Sequence, residues 1–87
     1  MSKRRSRMEI VYSVLKVIGE DGRGARKTRI LYKSNLSHPL LSKYLDFITE
    51  YGLVRSEKSD EKPVYHLADK GREFIRTYEQ MRSILES

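Results

Sequence analysis

The side chains best placed to do chemistry in this 87-residue chain are its cations. Eleven of the 18 Lys and Arg residues fall in the first 44 positions against three carboxylates, a local balance of +8, while residues 45–87 hold seven cations and nine acids, a balance of −2. An uneven field of this kind on a small domain attracts a polyanion, with nucleic acid first and an anionic membrane surface second. Catalysis has no comparable footing. There is no Cys, and the two histidines, His38 and His66, stand far apart, so neither a thiol nucleophile nor a metal-ligand spacing is present. Gly22-Arg23-Gly24 lacks the rest of a nucleotide-binding loop, and no paired acid and base can be picked out. The expectation is a binding protein and not an enzyme, with no cofactor and no metal.

Those cations need elements to position them. Ser6 and Glu9 have the spacing of a capping box, and the apolar residues Ile10, Val11, Val14, Leu15, Val17 and Ile18 recur on one side of a helix from about Arg7 to Glu20, which Gly22 and Gly24 should end. Ala25 to Lys27 reads as a short extended link. A two-turn helix follows over Thr28–Lys33, then a tight turn at Ser34-Asn35-Leu36. Ser37 can cap a third helix, about His38 to Tyr51, with Pro39 in its first turn, where a missing N–H is harmless. Projected at 100° per residue, Leu40, Leu41, Tyr44, Leu45, Phe47, Ile48 and Tyr51 fall within an arc of about 160°. Ser42, Lys43, Asp46, Thr49 and Glu50 are left on the other side, free to touch something.

Leu53–Ser56 and Val64–Leu67 read as two strands of a hairpin whose tip spans Glu57–Pro63, with Pro63 suited to the start of an edge strand. The remaining segment, Asp69 to about Glu86, is helical again, with Phe74, Tyr78, Met81 and Leu85 spaced as a seam. This seam would serve a partner helix or the helix Ile10–Ile18 of the same chain. The six tyrosines sit mostly at core positions, and His66 in its strand is a structural residue.

The order helix, link, helix, turn, helix, hairpin, helix is that of a winged helix-turn-helix, an α+β and mostly helical class with a three-helix core, a β-hairpin wing and here an extra C-terminal helix. The runs Lys27-Thr28-Arg29-Ile30-Leu31-Tyr32-Lys33-Ser34-Asn35-Leu36-Ser37, Leu41-Ser42-Lys43-Tyr44-Leu45, Tyr51-Gly52-Leu53-Val54 and Tyr65-His66-Leu67-Ala68-Asp69-Lys70-Gly71-Arg72-Glu73-Phe74 carry more. From about Met8 to Leu85 the chain resembles a family of small archaeal winged-helix proteins that includes the Sulfolobus "ten-a" DNA-binding protein and predicted transcriptional regulators. What the resemblance implies is binding of double-stranded DNA by a homodimer whose C-terminal helices pair.

On that reading the third helix enters the major groove, and Ser37, His38, Ser42 and Lys43 become its expected contacts. Arg26, Lys27, Arg29 and Lys33 are expected on the flanking phosphates, with Arg4 and Arg5 in a basic arm over residues 1–6, and Arg55, Lys58 and Lys62 from the wing. Asp46 lies on the groove face, at its rim or accepting from a cytosine amino group. The winged domain is expected over residues 7–68. Residues 69–87 form the dimerisation helix, with Phe74, Tyr78, Met81 and Leu85 at the interface. A transcriptional regulator or a chromatin-like DNA organiser fits, located in the cytoplasm at the nucleoid, since no apolar run suits a membrane span. Two other readings stand beside it: a winged-helix adaptor for another protein, and an RNA or single-strand binder.

Overall fold

In the computed structural model, which describes residues 6–86, the capping box forms as the spacing predicts. The Ser6 hydroxyl accepts from Glu9 N at 3.1 Å, and Ser6 N donates to Glu9 Oε1 at 2.8 Å. Helix α1 (Arg7–Glu20) starts there and stops at Asp21, whose backbone is extended. The glycines lie beyond the stop. Arg23 N donates to Asp21 Oδ1, and this contact foremost holds the Asp21 carboxyl below its ordinary range.

Strand β1 (Ala25–Arg26) leads directly into α2 (Lys27–Ser34), and Asn35, at φ 60°, provides the left-handed residue that ends α2. Helix α3 (His38–Glu50) is capped by Ser37, whose hydroxyl accepts from Leu40 N. It closes with a Schellman arrangement in which Gly52 N donates to Thr49 O and Leu53 N to Ile48 O, Gly52 taking φ 77°. Strands β2 (Val54–Ser59) and β3 (Lys62–Leu67) form the hairpin, and α4 (Asp69–Glu86) follows.

The sheet differs from the sequence expectation in three respects. Its order is β1-β3-β2, so the link before α2 is a third strand, pairing Ala25 with Tyr65 and Arg26 with Val64. This makes β3 the central strand and not an edge. Pro63 is tolerated because β1 ends opposite Val64, leaving Pro63 paired only with Lys58 on the β2 side. The expected tip of five to seven residues is instead a two-residue turn, Asp60-Glu61, both at positive φ, as a type I′ hairpin requires. The strands of the wing are correspondingly longer, six residues each.

Leu15 and Val14 of α1, Ile30 of α2, and Leu41, Leu45 and Ile48 of α3 are fully buried, closed over by Val54 and Leu67 of the sheet. Tyr51 lies outside this core. It was expected on the buried arc of α3, yet it is 54% exposed and stacks on Phe47 with ring centroids 4.6 Å apart. Helix α4 rests its first half on the core through Phe74 and Ile75. Its last seven described residues are all exposed.

Candidate nucleic-acid interface

The exposed side of α3 is bounded by what its neighbours bury. His38, Pro39, Lys43, Asp46, Thr49 and Glu50 are exposed, whereas Ser42 is half-buried. The Lys27 ammonium donates to the Ser42 hydroxyl at 2.6 Å, tying the start of α2 to α3. Two expected contact residues therefore hold each other and set the angle between the helices. Ser37 spends its hydroxyl oxygen on the cap. Lys43 is the cation left on the exposed side, and among the described residues it has no carboxylate within 4 Å. Beside it a groove of about 300 Å³ is lined by Arg7, Tyr44, Asp46, Phe47 and Glu50, with the Arg7 guanidinium 6.0 Å from the Phe47 ring centroid.

On α2, Arg29 is exposed and has no ion pair among the described residues, while Lys33 reaches Glu20 at 3.6 Å. Both partners of that pair stay near half exposed, so it is weak and a phosphate can compete for the lysine. Tyr32 is a residue that sequence reasoning missed. It was expected to pack, yet it is 87% exposed and follows Arg29 by one turn. The only available signal was that Ile30 and Leu31 already fill the core side of so short a helix.

Register sorts the wing cations. Opposed pairs Arg55–His66, Ser56–Tyr65, Glu57–Val64 and Lys58–Pro63 put Ser56, Lys58 and Tyr65 on one face and Arg55, Glu57, Lys62 and His66 on the other. The Lys58 face continues that of core residues Val54 and Leu67 and looks toward α3. Tyr65 on this face has its phenol pushed up by burial and then by the charge of Asp46. Arg55 belongs to the reverse side, where a small polar cavity of about 140 Å³ is lined by Asp21, Arg55, His66 and Arg72. His66 itself is packed against Gly24, with Nε2 3.1 Å from Glu57 Oε1. Arg26 is engaged at the wing tip, donating to Ser59 O at 3.1 Å and lying 3.9 Å from the Asp60 carboxylate. Arg4 and Arg5 lie outside the described residues.

Two of the four seam residues, Phe74 and Tyr78, pack within the chain and two do not. Phe74 packs on the core, and Tyr78 stacks on Tyr12 of α1 at 4.5 Å. Met81 and Leu85 are 49% and 83% exposed, next to Ile84 at 74%. A polar cluster locks the junction. The Tyr12 hydroxyl donates to Glu79 Oε2 at 2.7 Å and accepts from Arg82, Lys16 donates to the same carboxylate oxygen, and the Arg82 guanidinium covers both tyrosine rings. Donation by Tyr12, then by Lys16, holds the Glu79 carboxyl below its ordinary range, and the same Glu79 bond pushes the Tyr12 phenol up. Sequence spacing does not reveal this cluster, because its members are 63 to 70 residues apart.

Three helices on a three-stranded sheet, with an exposed third helix beside a β-hairpin, define a helix-turn-helix protein with a wing. The chain belongs to the winged helix-turn-helix family, whose sequence pattern matches residues 4–86. It is 31% identical over 84 residues to an uncharacterised protein of Methanocaldococcus jannaschii, covering 97% of this chain and 80% of that one. Its fold is similar to that of Sso10a-2, a DNA-binding protein from Sulfolobus solfataricus, with a TM-score of 0.82 at 23% identity over 94% of this chain and 83% of the other. It is also similar to TubR of Bacillus thuringiensis, solved bound to 24 bp of tubC, with a TM-score of 0.72 at 23% identity over 83% and 81% of the two chains. Among the described residues no helix is long and apolar enough to cross a membrane, and no group of His, Cys, Asp and Glu could hold a metal.

Proposed function

We propose that this protein binds duplex DNA, with α3 in the major groove and the flanking cations on phosphates, and serves as a regulator of transcription or an organiser of the chromosome. The observation that carries the reading is the pair of exposed cations on the helix-turn-helix, Arg29 on α2 and Lys43 on α3, neither with a carboxylate within 4 Å among the described residues, in a chain of net charge +6. His38 at the start of α3, Lys33, and Lys58 on the α3 side of the wing extend the same surface. Lys27, Ser42 and Arg26 act behind it as positioning residues. The DNA-binding protein and the DNA complex among the structural neighbours support this assignment.

In this proposal residues 7–68 are the reading unit and α4 pairs two copies through Met81 and Leu85, within the cytoplasm and at the nucleoid. An 18-residue helix is about 27 Å long, so antiparallel pairing can set two copies of α3 near the roughly 34 Å of one DNA turn. The test is a fluorescence titration of mixed-sequence duplex at two salt concentrations. Binding that weakens steeply with salt is expected, and Arg29→Glu with Lys43→Glu should abolish it while the helical circular dichroism is retained. Failure of the unmutated protein to bind at low salt would refute the reading and favour a protein-docking role. Stronger binding to single strands would favour the RNA or single-strand alternative.

A further inference from the structure

Projected down its axis, α3 buries Leu41, Tyr44, Leu45 and Ile48 on one side, and the middle of the opposite side is occupied by Pro39, Lys43, Asp46 and Glu50. Asp46 and Glu50 are like charges one helical turn apart, which destabilises a helix. Glu50 also stands in the last turn, where the helix dipole disfavours an anion. Neither acid has a cation within 4 Å among the described residues. Lys43, three residues before Asp46, offsets part of this cost, yet the outward side of α3 still carries two carboxylates to one cation.

We propose that Asp46 makes this protein a reader of sequence and not an indiscriminate binder of duplex, by accepting a hydrogen bond from the exocyclic N4 amino group of a cytosine in the major groove. The inference rests on the DNA-binding reading above. A carboxylate offers acceptors only. Phosphate oxygens repel it, and so do the acceptor atoms that guanine displays in the major groove, whereas cytosine N4 is a donor that a carboxylate matches. A protein that grips any duplex gains affinity from phosphate contacts alone, and central acids would lower that affinity at every site. On α3 the same acids discriminate. They subtract little where an amino group meets them and much where none does. Lys43, one turn before Asp46, keeps the helix close to the backbone while Asp46 selects the base.

The experiment selects bound sites from a randomised duplex pool with the full chain, Asp46→Ala and Asp46→Asn, followed by titration on the enriched site and on mixed-sequence duplex. The unmutated chain should enrich a cytosine at one position of each half-site. Replacing that base pair should weaken its binding by roughly 5- to 150-fold, the cost of a mismatched contact. Asp46→Ala should lose the preference at that position and no other. Asp46→Asn should shift it toward adenine, which an amide matches through N6 and N7. Both variants should bind mixed-sequence duplex about two- to threefold more tightly, since one charge near the phosphates is gone. The proposal is overturned if the unmutated chain enriches no base, or if Asp46→Ala keeps the same preference. Absence of duplex binding by every form would instead refute the DNA-binding reading, and this proposal with it.

Discussion

Gly71 lies in the first turn of α4, where replacing glycine by alanine ordinarily stabilises a helix by about 1 kcal/mol. Here the sign should reverse. Gly71 is buried, and a Cβ built on it would overlap the carbonyl oxygen of Leu53, with Leu53 C at 3.1 Å and Leu67 Cδ2 at 3.2 Å. The obstacle is backbone, and it is held in place because Leu53 O accepts from Ala68 N at 3.0 Å. Relief requires α4 to move outward, straining that bond, worth about 1 kcal/mol, and loosening contacts whose overpacking costs about 1–3 kcal/mol. Net of the propensity gain, Gly71→Ala should destabilise by about 2 kcal/mol, lowering the melting temperature of a domain this size by about 10 °C. The assay is thermal unfolding by circular dichroism, with Gly22→Ala as control. Gly22 has nothing within 4 Å of its built Cβ and no positive φ, so the control should hold or raise the midpoint. A Gly71→Ala midpoint equal to or above that of the unmutated chain would refute the packing of α4 on the α3–β2 junction.

Other expectations follow from the same geometry. Lys43→Ala should reduce the slope of log K against log salt by about 0.9, as one lost phosphate contact does, without changing thermal stability. Asn35→Val places a β-branched residue at φ 60° and should cost about 1–2 kcal/mol in urea unfolding, whereas Asn35→Gly should be nearly neutral. Glu79 has a lowered folded pKa, so its stabilising contribution is present above the unfolded value and is lost as pH falls through the folded one. Between roughly pH 5 and pH 3 the unmutated chain should lose stability more steeply than Glu79→Gln, as read by urea midpoints across that range. Met81→Asp with Leu85→Asp should shift sedimentation from dimer to monomer with the fold retained; Tyr78 is unsuitable for this purpose because it stacks on Tyr12.

The elements that sequence reasoning recovered are those with dense local signals. The capping box set the start of α1, Ser37 and Pro39 that of α3, and Gly52 its end, since each acts within one turn of the chain. Strand β1 escaped because two residues hold no alternation to read, and pairing with Tyr65 and Val64 alone makes them a strand. The wing was foreshortened because β2 after Val54 is exposed throughout, and Asp60-Glu61 lacks the Asn-Gly or Asp-Gly signature of a tight hairpin. At the candidate site, residue types were easily chosen and their duties were not. Lys27 and Arg26 look like free cations in sequence, but the hydroxyl of Ser42 and the carbonyl of Ser59 that occupy them are brought there by tertiary structure.

The bond from Arg26 to the wing tip has a thermodynamic corollary. A two-stranded hairpin protruding from a domain would ordinarily surrender conformational entropy when it met a ligand. This one is rooted in a third strand and clasped near its turn, so much of that freedom is already gone in the unbound molecule. Arg26 is also the residue at the N-terminal boundary of α2. A contact that displaced the tip would therefore act directly on the residue that begins α2.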